Sequence, residues 1–185
     1  INWNQNVRTL DISNNQLDGQ IPDDIFKLPK LKSFSASINC LSTKLPDSIC
    51  LASLDNLLIS GLHQSEKCKS LPVGYITLPS CIWSMRTLQT LYISGNAYSG
   101  KMENVDLGNL TTLSVGYNRL RGTVPSFFNN KTMQVFDISK NMLTGSLFDV
   151  NILPISNTSN FKADVNRLSG PLSTNTIYRF ASVSV

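Results

Sequence analysis

A thirteen-residue phrase, Leu10-Asp11-Ile12-Ser13-Asn14-Asn15-Gln16-Leu17-Asp18-Gly19-Gln20-Ile21-Pro22, recurs along the chain, which restricts the fold to architectures built by stacking one unit. Copies start at Val7, Leu31, Leu54, Leu88, Leu110, Met133 and Thr158, and an eighth begins at Phe180. Most steps are 22 to 25 residues, whereas the step from Leu54 to Leu88 is 34.

Apolar residues keep fixed offsets within each copy. Val7/Leu10/Ile12 return as Leu31/Phe34/Ala36, Leu54/Leu57/Ile59, Leu88/Leu91/Ile93, Leu110/Leu113/Val115, Met133/Phe136/Ile138, Thr158/Phe161/Ala163 and Phe180/Val183/Val185. The pair two apart marks one short strand with a single buried face. Such a strand cannot bury itself, but copies stacked in parallel at roughly 4.8 Å per coil roof each other's side chains.

An Asn follows most strands, as Asn15, Asn39, Asn96, Asn118, Asn141 and Asn166. A carboxamide both donates and accepts, so these residues are expected to satisfy backbone groups where the chain leaves the strand. Gly19, Gly100, Gly122, Gly145 and Gly170 then allow tight turning, and Ile21-Pro22, Leu45-Pro46, Leu78-Pro79 and Val124-Pro125 lead to the outer side.

This pattern, LxxLxLxxNxLxGxIP, resembles the plant-type leucine-rich repeat of receptor-like kinases, receptor-like proteins and polygalacturonase inhibitors. Similar repeats occur in surface proteins of algae and protists. The resemblance implies an α/β repeat solenoid: a right-handed leucine-rich-repeat coil with a parallel concave sheet and short helical, 3-10 or irregular outer segments. It spans residues 7 to 185, with departures at Leu62 (for Asn), Thr43 (for Gly), and Glu103, Phe148 and Ser173 (for Pro).

The 185 residues, 41% hydrophobic and 15% charged, fit one leucine-rich-repeat domain of about seven and a half repeats over residues 1–185. No apolar run approaches the roughly 20 residues of a membrane-spanning helix. The chain starts just before one repeat and stops inside another, so we read it as an excerpt of a longer protein, with membrane attachment left to segments outside it. The net charge of +4 is spread along the sequence without Lys/Arg runs, which argues against a nucleic-acid partner.

Cys40, Cys50, Cys68 and Cys81 all fall in the second and third repeats. Repeat register favours Cys40 with Cys68 and Cys50 with Cys81; four free thiols are the alternative. Sequons begin at Asn109, Asn130 and Asn157, each one to three residues before a strand copy, on turns expected to be exposed. Sequons and clustered cysteines together point to an extracellular or cell-surface protein.

Catalytic chemistry finds little here. The only imidazole is His63, and no nucleophile elbow, phosphate-cradling glycine loop or Cys-x-x-Cys occurs, so we expect no enzyme, metal or cofactor. Asp23-Asp24 reads as a helix cap behind Pro22.

Strand residues between the buried ones face the concave side. By register they form columns: Asp11, Ser35, Leu58, Tyr92, Ser114, Asp137, Lys162 and Ser184; then Ser13, Ser37, Ser60, Ser94, Gly116, Ser139 and Asp164; then Asn14, Ile38, Gly61, Gly95, Tyr117, Lys140 and Val165. Leu58, Tyr92, Tyr117 and Ile38, in repeats two to five, form the only apolar-aromatic cluster on this mostly small, polar surface and are the candidate binding cluster. About ten extra residues within 62–77, carrying His63, Lys67, Lys69 and Tyr75, form an insert that either walls this site or is a disulfide-held surface loop. The expected function is an extracellular recognition module for a protein, peptide or glycan ligand. The alternatives are a structural or adhesive surface protein and a secreted inhibitor of a wall-degrading enzyme.

Overall fold

The computed structural model describes residues 5–63, 68, 76–102, 106–128, 131–147, 152–171 and 179–185. Each repeat contributes one strand to a parallel eight-stranded inner sheet, in chain order: Thr9–Asp11, Ser33–Ser35, Asn56–Leu58, Thr90–Tyr92, Thr112–Ser114, Val135–Asp137, Asn160–Lys162 and Ser182–Ser184. Leu10, Phe34, Leu57, Leu91, Leu113, Phe136, Phe161 and Val183 align across it. Each strand is therefore centred on the first residue of the apolar pair. The second, such as Ile12 or Ile93, lies just past the strand end and still points inward, with Ile59, Ile93 and Ile138 fully buried.

Behind the sheet the apolar side chains form one continuous core. In the later repeats it becomes a spine of rings: Phe128 meets Phe136 edge-on at 5.1 Å, Phe136 stacks on Phe161 at 5.6 Å, and Phe161 meets Phe180 at 5.6 Å. Such contacts add about 0.5–1.5 kcal/mol per pair beyond area burial.

The Asn residues join neighbouring coils, as their chemistry predicts. Asn118 Nδ2 donates to Val115 O in its own repeat and to Ile93 O in the preceding one, while its Oδ1 accepts the N–H groups of Asn96 and Tyr98. Asn39, Asn96, Asn141 and Asn166 reach back in the same way, to Ile12, Ile59, Val115 and Ile138. In the third repeat Leu62 has no carboxamide to offer, and its backbone carbonyl accepts the Leu41 N–H instead, at 2.8 Å.

Beyond the Asn the chain forms a second, lateral sheet, which the sequence reading did not foresee. Its five parallel strands are Ile76–Thr77, Tyr98–Lys101, Arg119–Thr123, Met142–Ser146 and Arg167–Ser169; Asp18–Gly19 and Cys40–Leu41 pair separately. The repeated glycine has a packing role there. Gly145 has φ +86°, and a Cβ on it would sit 2.9 Å from Thr123 Cγ2 of the preceding repeat. Gly122 likewise makes room for Lys101 and Gly170 for Ser146, whereas a Cβ on Gly100 would meet Thr77 only at an ordinary contact distance of 3.6 Å.

The lateral pairing is interrupted between Cys40–Leu41 of the second repeat and Ile76–Thr77 of the third. Two features tie the flanks of this gap. Tyr98, fully buried, donates its hydroxyl to Thr43 O, 2.8 Å away and two repeats back, and burial pushes its phenol pKa up. Disulfides link Cys40 to Cys68 and Cys50 to Cys81, the pairing that the repeat register favours.

On the outer side, 3-10 helices Asp23–Lys27, Asp47–Leu51, Ser80–Ser84 and Ser126–Phe128 follow Pro22, Pro46, Pro79 and Pro125. The repeats with Glu103, Phe148 or Ser173 in place of Pro show none among the described residues. The expected Asp cap is corrected: Pro22 is the N-cap without a side-chain bond, and Asp24 instead pairs with Lys27 at 3.0 Å.

Candidate functional site

Two columns of side chains flank the central residues of the inner sheet, and both are buried in the fifth strand, at Thr112 and Ser114. Asp11, Ser35, Leu58, Tyr92, Ser114, Asp137, Lys162 and Ser184 stand in register, as expected. On the other side of each central residue stand Thr9, Ser33, Asn56, Thr90, Thr112, Val135, Asn160 and Ser182, a column that alternation about Leu10 and its equivalents would have revealed. Leu58 and Tyr92 are half-buried register neighbours on adjacent strands. They are the apolar interruption in a column otherwise made of Ser, Asp and Lys.

The Ser column is committed to the fold. Ser37, Ser60 and Ser94 each donate a backbone N–H to the hydroxyl of the preceding repeat, Ser13, Ser37 and Ser60, all at 3.1 Å. The ladder thus continues past the strand ends. In the sixth repeat Asp137 Oδ1 accepts both the N–H and the hydroxyl of buried Ser139, and Gly116 leaves space for that carboxylate, since a Cβ there would lie 3.0 Å from it. Asp11 accepts the Ser13 N–H in the same way, and this bond holds its carboxyl below the ordinary value.

Ile38 and Tyr117 do not stand on the sheet floor with Leu58 and Tyr92. Asn14, Ile38, Gly61, Gly95, Tyr117, Lys140 and Val165 all have left-handed φ between 52° and 72°, and form a rim where the chain turns out of the inner sheet. The proposed cluster therefore divides into a floor pair and two rim residues. Their repeats, the second and the fifth, are three coils apart, roughly 14 Å along the stack. Tyr117 is 60% exposed, and the Lys140 ammonium lies 4.0 Å from its ring centroid and contacts its hydroxyl. That hydrogen bond raises the Lys140 pKa. For β-branched Ile38 and Val165 the left-handed backbone costs about 1–3 kcal/mol.

Of the insert residues, His63 is half-buried and forms an antiparallel bridge with Cys40. Lys67, Lys69 and Tyr75 lie outside the described residues, as does Asn130. Asn109 and Asn157 are exposed on turns before inner strands.

The repeat geometry matches known proteins. The Leucine Rich Repeat family model matches residues 6–28 and 109–131. Receptor-like protein 35 of Arabidopsis thaliana is 32% identical over 171 residues, covering 86% of this chain and 17% of that protein. Receptor-like protein 7 of the same plant is 29% identical over 144 residues, covering 77% and 11%. The chain thus spans less than a fifth of the length of these relatives. Among solved structures, the Arabidopsis receptor kinase HAESA superposes with a TM-score of 0.61 at 22% identity, covering 92% of this chain and 32% of that one. The chain is a leucine-rich-repeat solenoid, homologous to plant receptor-like proteins over most of its length.

Proposed function

We propose that this chain is the recognition part of an extracellular or cell-surface receptor-like protein, and that it holds an extended peptide or protein segment against the inner sheet. The observation that carries this reading is the Leu58/Tyr92 pair, an apolar step within a column of small polar and charged residues. Rigid side chains anchored on a preformed sheet bury area with little ordering cost, the economy that central interface residues exploit. Support also comes from the relatives' receptor-like character and from HAESA, whose structure holds the peptide hormone IDA and the co-receptor SERK1. The sequons at Asn109, Asn130 and Asn157 and the two disulfides fit an oxidising, glycosylating route.

Panning a phage-displayed random dodecapeptide library on the purified chain tests this reading. Enriched peptides should lose about tenfold or more in affinity on Leu58→Ser or Tyr92→Ser, as truncated anchors do. Peptides that bind both variants like the parent would move the site off this pair and favour the structural or adhesive alternative.

A further inference from the structure

One column of the inner sheet changes character along the stack. Leu58 and Tyr92 are followed on successive strands by Ser114, Asp137 and Lys162, so an apolar step gives way to an acidic and then a basic one. Ser114 is small and buried and does not rise between Tyr92 and Asp137. With strands about 4.8 Å apart, Asp137 stands roughly 10 Å from Tyr92 along the column and Lys162 roughly 14 Å. Asp137 and Lys162 are register partners of opposite charge, yet no ion pair joins them. The carboxylate turns instead to its own repeat, where Oδ1 accepts the Ser139 N–H at 3.0 Å and the Ser139 hydroxyl at 2.7 Å. A carboxylate fixed through one oxygen keeps the other for an outside donor. Lys162 is exposed and makes no ion pair among the described residues. The other charges nearby are engaged or withdrawn: Lys140 contacts the Tyr117 hydroxyl at the rim, and Asp164 is half-buried.

We propose that the order apolar, acidic, basic from Leu58 to Lys162 selects the complementary order in a bound polypeptide: an apolar residue, then Arg or Lys, then Asp or Glu, within a run of about five residues. This inference rests on the peptide-binding reading and adds to it the ligand's charge order. The run length follows from geometry, because an extended chain advances about 3.3 Å per residue and covers the roughly 14 Å from Tyr92 to Lys162 in about four steps. Two opposite charges at fixed places discriminate by repulsion as well as attraction: a segment with its charges exchanged brings like charges together at both positions. Asp137, already held by Ser139, loses little freedom on binding. A uniformly charged polymer of either sign is repelled by one of the two residues, which leaves a mixed-charge polypeptide as the occupant that fits both.

The probes are two phage-displayed dodecapeptide libraries, each with one fixed Leu or Tyr. The first places Arg three and Glu four positions beyond it, the second exchanges these two, and both are made in forward and reversed sequence. Clones of the first kind should dominate on the purified chain and lose about tenfold or more in affinity when their two charges are exchanged. Lys162→Glu should reverse the preference at the second charge, and Asp137→Asn, whose amide oxygen still accepts from Ser139, should lose it at the first. Lys27→Glu, the same charge change on the first repeat's outer side, should leave both preferences intact. Thermal midpoints equal to the parent's show that the variants fold, and Lys162→Glu alters an exposed side chain, so its result stands even where Asp137→Asn disturbs the fold. Clones that weaken on Tyr92→Ser yet accept either charge order, or favour the exchanged one, overturn this inference and leave the peptide-binding reading standing. Clones indifferent to Tyr92→Ser, or no enrichment at all, overturn both. A preference that survives Lys162→Glu and Asp137→Asn overturns the assignment to these two residues.

Discussion

The inner and lateral sheets are made by the same repeats, yet one is continuous over eight strands and the other is broken between the strand of the second repeat, Cys40–Leu41, and that of the third, Ile76–Thr77. The difference lies in where each is anchored. Inner strands sit on the apolar triplet, which Leu54/Leu57/Ile59 preserves even in the 34-residue repeat, so the ladder passes through undisturbed. Lateral strands follow the Asn, and in this repeat Leu62 replaces it and the lateral strand, Ile76–Thr77, comes only after the extra residues. An insertion is tolerated on the side whose pairing it alone disrupts, and the flanks are then tied by Tyr98 and the two disulfides. Extra chain in a solenoid thus adds surface without cutting the core.

Substitutions can break or sharpen this contrast. The largest effect is expected at the inner sheet: Leu91→Ala opens a cavity in the fully buried core and should cost about 2–5 kcal/mol in denaturant unfolding. An unchanged midpoint would refute the central role of this register. Next comes Gly145→Ala, where left-handed φ and the 2.9 Å approach to Thr123 act together. About 2 kcal/mol is expected there, against about 1 kcal/mol for Gly19→Ala, which has φ +80° but nothing within 4 Å of the added Cβ. Equal costs would mean that the glycines serve backbone conformation alone.

The smallest effect concerns the bridge across the gap. Tyr98→Phe removes one buried hydrogen bond and should cost about 1 kcal/mol near neutral pH. Burial raises the Tyr98 pKa above its ordinary 10.0, so above pH 10 the folded state keeps a proton that the unfolded chain releases. The contribution is complete below that pH and declines as pH rises through the folded value. Alkaline titration of the parent and Tyr98→Phe should show a steeper stability loss in the parent; parallel curves would remove Tyr98 from the account.

The inner strands were legible in the sequence to within one residue, because apolar offsets such as Leu57/Ile59 encode burial directly. The Asn bonds were legible for the same reason, a polar side chain at an inward position. The lateral sheet was missed although Arg119-Leu120-Arg121-Gly122-Thr123 alternates about buried Leu120: the glycine was read only as a turn. The candidate site was half legible. Period-two counting found Leu58 and Tyr92, but adding the residue just after the Ser column put Ile38 and Tyr117 on the floor, whereas their left-handed backbone moves them to the rim. The charge order of Asp137 and Lys162 was legible in the same column, whereas the bonds that hold Asp137 within its own repeat appear only after folding.

The carboxamide ladder also has a direction in time. Asn39 completes bonds for Ile12 and Leu17, Asn118 for Ile93 and Tyr98, and Asn141 for Val115 and Leu120. Through these carboxamides each coil finishes its predecessor, while the Ser hydroxyls serve the coil that follows. A chain emerging from the ribosome amino-end first therefore carries one unfinished coil at its growing edge, sealed when about one more repeat appears. Growth of the molecule resembles courses of brick laid in a single order, each course setting the mortar of the one below.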